Sequence, residues 1–119
     1  MKNLKQYLEK YRYSYIIDGF ADSYEFTPND SGAVIEFIKV GYQNNDEAVK
    51  KFVDENGYRL ATIAEVFEYF DTRKVKDLQA TIEGDYYASF RILGDEQRVR
   101  ISKNVQSWSK IWTFAVVRK

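Results

Sequence analysis

In the stretch "QRVRIS", residues 97–102, two arginines stand two apart with Val99 and Ile101 in the alternate places. On an extended strand that period puts Arg98 and Arg100 on one face and the two apolar side chains on the other. Two guanidiniums side by side, each a planar fork of N–H donors, can grip a carboxylate, a phosphate or an acidic protein surface. Arg91 and Lys103 lie on or beside the same predicted hairpin, and Trp108 follows in the polar setting "VQSWSK". Tyr86, Tyr87 and Trp112 complete a C-terminal half rich in large rings, which give contact area at low entropy cost and stack on partner side chains, sugars or bases. The candidate partner-binding residues are therefore Trp108, Arg98, Arg100, Tyr86, Tyr87 and Trp112. Each feature also has a plainer reading. Rings in a small β-rich domain are mostly core, and arginines on a strand keep a solvated sheet face from pairing edge to edge.

The acidic residues give two further candidates. Glu65, Glu68 or Asp85, brought together in a concave pocket with their pKa values pushed apart, would serve a hydrolase or transferase. Asp18, Asp22, Glu25 and Asp30 crowd the segment around Pro28, where hard oxygen ligands could hold calcium; their spacing matches no EF-hand loop, and plain solvation is the simpler expectation. "NDS" at Asn29 is a glycosylation sequon by pattern only.

Composition narrows the chemistry. The chain has neither cysteine nor histidine, so there is no disulfide framework and no thiolate nucleophile. The commonest general acid–base and transition-metal ligand are missing too. No metal and no cofactor are implied, and no phosphate-binding glycine loop, HExxH, GxSxG or nucleic-acid signature occurs. Eighteen basic residues balance eighteen acidic ones. The chain thus has no net attraction for nucleic acid or an anionic membrane, although a local patch remains open. With no apolar run near the length of a membrane span and no signal-like start, a cytoplasmic protein is expected.

The elements that must position these residues follow from periodicity. Leu4, Tyr7, Leu8 and Tyr11 form one stripe of an amphipathic helix, and "YSYIIDGF" then reads as a strand ending at Gly19. "ADSYEFTPNDSG" holds the single proline among turn formers and reads as a loop. Residues 33–42, "AVIEFIKVGY", are apolar on both faces, which predicts a central strand. Asn44 or Asn45 caps a helix whose face is Ala48, Val49, Phe52 and Val53, and Asn56-Gly57 ends it. A short strand "YRLA" follows. Thr62 with Glu65 then forms a capping box for a helix buried through Val66, Phe67 and Phe70. Residues 71–85 show little pattern, a helical turn near Val75 and Leu78 and then a long loop. "YYASFRIL" and "QRVRIS" form a hairpin about Gly94-Asp95, and "IWTFAVVRK" closes the chain as a strand.

The segment "EAVKKFVDENGYRLATIAEVFEYF" resembles the part of C-type-lectin-like domains in which a helix carrying "EA" leads through a glycine turn to a short "LATI" strand and a second helix. "RLATIAEVFEY" is similar to the pattern of the formylglycine-generating-enzyme branch and of small bacterial relatives. The resemblance implies a single α+β domain over residues 1–119, two central helices packed on a mainly antiparallel sheet, with the last strand returning beside the first. It also implies loops between residues 71 and 112 that present a ligand or partner. The activities of those relatives do not carry over. The calcium lectins' EPN or QPD and WND triplets are absent, "WSK" standing near the latter, and the cysteines of the formylglycine-generating branch are missing. The expected function is a non-enzymatic protein-binding module, one form of which is a small phage- or mobile-element-type inhibitor. The alternatives are a calcium-independent carbohydrate-binding module and a carboxylate-dependent hydrolase or transferase.

Overall fold

A computed structural model describes residues 3–26, 34–103 and 107–119. Pro28, Asn29 and Asp30 therefore lie outside the described residues. In chain order the elements are α1 (Leu4–Leu8), β1 (Tyr13–Ile16), α2 (Phe20–Ser23), β2 (Glu36–Lys39), α3 (Asp46–Glu55) and β3 (Tyr58–Leu60). They continue with α4 (Ile63–Asp71), β4 (Gln79–Glu83), β5 (Tyr86–Leu93), β6 (Glu96–Lys103) and β7 (Thr113–Arg118). The architecture is a single α+β domain on one mixed sheet of order β1-β6-β5-β4-β7-β2, with β3 also paired to β7. β4, β5 and β6 form an antiparallel meander, while β1 runs parallel to β6 and β4 parallel to β7.

Strand alternation divides the core between the two faces. Ala88, Phe90, Val99, Ile101, Ala115 and Val117 point to one face, where Leu4, Tyr11, Phe20, Phe67 and Phe70 cover them. Ala80, Ile82, Phe114 and Val116 point to the other and pack under Val49 and Val53 of α3. The two central helices thus lie on opposite faces.

Local chemistry sets the helix limits as the spacing predicts. Of the two candidates Asn45, and not Asn44, is the cap of α3, its Oδ1 accepting from the Ala48 N–H at 2.8 Å. Gly57 ends that helix at φ +83°, in the left-handed region where a Cβ is penalised. Thr62 and Glu65 exchange the two bonds of a capping box at α4. Glu83 adds a third acceptor there, taking the Ile63 N–H at 2.8 Å and the Tyr24 hydroxyl at 2.5 Å.

Four expectations need correction. Residues 71–85 are not a long loop, because β4 lies inside the sheet, buried from Gln79 to Ile82. Its pattern was illegible because two buried members are polar and find partners only in the folded chain. Gln79 Oε1 accepts from the Lys76 N–H, and the Thr81 hydroxyl donates to the Ala61 carbonyl. The strand within residues 33–42 is β2, at the sheet's edge and not its centre. Its two-sided apolarity arises because Phe37 packs against Phe70 on one face while Ile38 joins the α3 cluster on the other. "ADSYEF" is not all loop, since Phe20–Ser23 is a helical turn. The last strand does not return beside the first: β7 pairs with β2, β3 and β4, and β1 lies at the far edge beside β6.

Candidate functional site

The helix α3 covers only part of its face. Over β4 and β7 the sheet is closed, but over β5, β6 and β1 no described element covers it, and there the surface sinks into a groove of about 530 Å³. Its floor is built in cross-strand rows. Tyr13 of β1 pairs with Arg98 of β6, which pairs with Arg91 of β5; the next row is Tyr15, Arg100 and Ser89. Tyr87, Trp108 and Trp112 form the wall on the α3 side.

The arginines are held by rings. Arg98 Cζ lies 4.6 Å from the centroid of Tyr13, and Arg100 Cζ lies 4.5 Å from that of Tyr15. Arg100 Nε donates to the Tyr87 hydroxyl at 3.1 Å. Such cation–π contacts at exposed sites are worth about 0.5–1 kcal/mol each and fix the direction in which the charge points. Glu96 sits beyond the groove between Arg12 at 3.4 Å and Arg98 at 3.2 Å. Among the described residues no carboxylate lines the groove, although three arginines do. Arg91 and Arg98 stand directly opposite each other, a like-charge pair that destabilises a sheet. Arg98 Nε is buried with no hydrogen-bond partner among the described residues. A chain of net charge zero therefore gathers three arginines on one half-face that the described residues leave uncovered.

Five of the six residues expected from the sequence meet here: Trp108, Arg98, Arg100, Tyr87 and Trp112. Tyr86 does not. It turns to the opposite face, edge-on to Phe20 with ring centroids 5.1 Å apart, and Lys103 lies over its ring on that side. Trp108 is in place but is not the exposed ring its polar neighbours implied. It is 2% exposed, T-stacked on Tyr87, Trp112 and Phe114. Its indole N–H donates to Asp46 at 2.7 Å, and its backbone bridges to Gln43. The polar flanks of Trp108 accompany an isolated bridge to Gln43, and Trp108 still borders the groove.

Tyr13 and Tyr15, 52% and 48% exposed, enter the sequence pattern only as strand formers. The i, i+2 logic that paired Arg98 with Arg100 puts these two tyrosines on one face as well. What the sequence could not show is that β1 lies beside β6.

The described candidate carboxylates all lie outside the groove. Glu65 takes both Arg59 nitrogens at 2.9 Å, and this guanidinium holds its carboxyl below the usual range. Glu68 and Asp85 are exposed and line no part of the groove. Asp18, Asp22 and Glu25 are exposed, and the described residues contain no cluster of acids suited to a metal ion. No described helix is long and apolar enough to cross a membrane. Comparison with protein-family models, curated proteins and solved structures finds no match to this chain.

Proposed function

We propose that this protein is a non-enzymatic binding module whose partner is a protein, engaged through acidic groups in the open groove. The observation that carries the reading is the half-covered sheet face, with Arg91, Arg98 and Arg100 among tyrosines and no acid in the lining among the described residues. Guanidiniums pre-oriented on rings lose little entropy when they form bidentate bonds to carboxylates. A bound acid would also relieve the Arg91–Arg98 repulsion. The lining holds neither carboxylate nor imidazole among the described residues, which favours binding over general acid–base work. A small inhibitor acting on an acidic surface is one form this function takes. The C-type-lectin-like outline is supported by the helix–strand–helix run of residues 46–71, while the position of β1 weighs against it.

The test is a titration of the protein with a fluorescent poly-glutamate peptide, with poly-lysine as control. The expected result is salt-sensitive binding of the acidic peptide alone, abolished in Arg98→Ala/Arg100→Ala. Equal binding by that double variant would overturn the reading.

A further inference from the structure

We infer that the partner binds as an added strand on the outer edge of β1, an extended segment whose alternate residues are acidic. This rests on the binding function proposed above and specifies how the partner lies. Among the described residues β1 is the terminal strand of the sheet and is bonded on one side only, to β6. In a parallel ladder alternate residues face the neighbour. The Ile17 N–H donates to the Ile101 carbonyl at 3.0 Å, the bond that the register of Ile16 opposite Ile101 requires, so Tyr13 and Tyr15 also turn to β6, and Ser14 and Ile16 turn their N–H and C=O groups outward.

The two edges of the sheet differ in protection. β2 carries Glu36 and Lys39, and Arg118 pairs with Glu36 at 3.0 Å. β1 reads Tyr-Ser-Tyr-Ile, without charge, proline or bulge, and both tyrosines are about half exposed. Natural edges of that composition are normally blunted or covered. Charge then decides what covers this one. Because Arg98 and Arg100 lie over the rings of Tyr13 and Tyr15, their positive charge is carried from β6 out above β1. Arg12 adds a third guanidinium 5.6 Å from the Tyr13 centroid.

Alternate side chains on a strand are about 6.6 Å apart, so acids at every second position of an added strand repeat with the period of the Tyr13–Arg98 and Tyr15–Arg100 rows. A second copy of this chain, paired edge to edge, would bring two arginine ladders together instead. Four residues offer few backbone bonds, so the charge pairs and the ladder must act jointly and binding falls with salt.

The experiment uses a labelled peptide of alternating glutamate and valine and the same peptide N-methylated on the amides that would face β1. Affinities are measured by anisotropy, and exchange of the Ser14 and Ile16 amides by NMR. The inference predicts slowed exchange at both amides and binding about tenfold weaker or worse for the methylated peptide, as expected for the loss of about two backbone bonds. Both peptides should lose binding in Arg98→Ala/Arg100→Ala. Equal binding of the two peptides, dependent on the arginines and without amide protection, overturns strand addition while leaving the binding function standing. No binding of either peptide overturns both. Tighter arginine-dependent binding of single-stranded oligothymidylate overturns the acidic strand in favour of nucleic acid. Concentration-dependent dimerisation abolished by Ser14→Pro, which removes an outward N–H, overturns it in favour of self-pairing.

Discussion

On the face of the sheet that carries α3, two adjoining halves are built from the same kinds of strand yet end differently. Over β4 and β7, the inward residues Ala80, Ile82, Phe114 and Val116 are apolar, and α3 and Trp108 close over them. Over β5, β6 and β1, the residues in the same orientation are Ser89, Arg91, Arg98, Arg100, Tyr13 and Tyr15, and nothing among the described residues closes over them. The difference lies in side chains alone, since hairpin register and alternation are continuous across the boundary. Apolar side chains bury themselves under a helix. Guanidiniums cannot be buried under an apolar helix without full counter-charge, so the half that carries them is left uncovered by the described residues.

The closed half can be broken at its keystone. Trp108→Ala removes a buried ring and leaves Asp46 without its donor, so stability should fall by about 3–5 kcal/mol, read as a denaturation midpoint. Gly57→Ala strains the turn between α3 and β3. A Cβ there meets no atom within 4 Å, so the loss of about 1–2 kcal/mol comes from the positive φ alone. Thr62→Ala loses the cap of α4, at about 1 kcal/mol.

The Glu65–Arg59 pair adds a pH signature. Its folded-state pKa is below the ordinary 4.5, so protonation favours the unfolded chain. The stabilisation is complete above about pH 4.5 and fades as the pH falls through the lower folded-state value. Glu65→Gln should therefore flatten the acid limb of a stability-versus-pH curve below that pH.

In the open half the smallest effects are expected. Arg91→Ala should change stability by no more than about 0.5 kcal/mol, with any change a gain, because it relieves the pair opposite Arg98. A loss of 2 kcal/mol or more, far above that surface range of about 0.5, would mean that the arginines hold the sheet together and do not await a partner.

Much of this contrast was legible in the sequence where short-range chemistry decides. The caps at Asn45 and Thr62, the left-handed Gly57 and the hairpin about Gly94 all depend on residues a few positions apart. The alternation of Arg98 and Arg100 against Val99 and Ile101 likewise gave the open face its direction. The failures were long-range. Gln79 and Thr81 look like loop residues until Lys76 and Ala61 satisfy them, and Trp108 looks exposed until Asp46, sixty-two positions away, meets its N–H. Tyr13 and Tyr15 belong to the site only because β1 pairs with a strand more than eighty residues later, as Tyr13 does with Arg98. No local pattern encodes such a pairing.

The comparison of the two halves is tested most directly by measuring thermal stability and acidic-peptide affinity on the same preparations of wild type, Arg98→Ala/Arg100→Ala and Trp108→Ala. The predicted result is that the double arginine variant keeps the wild-type melting temperature and loses binding, while Trp108→Ala melts far below wild type. An arginine variant that binds as wild type does, or that unfolds as readily as Trp108→Ala, would contradict it.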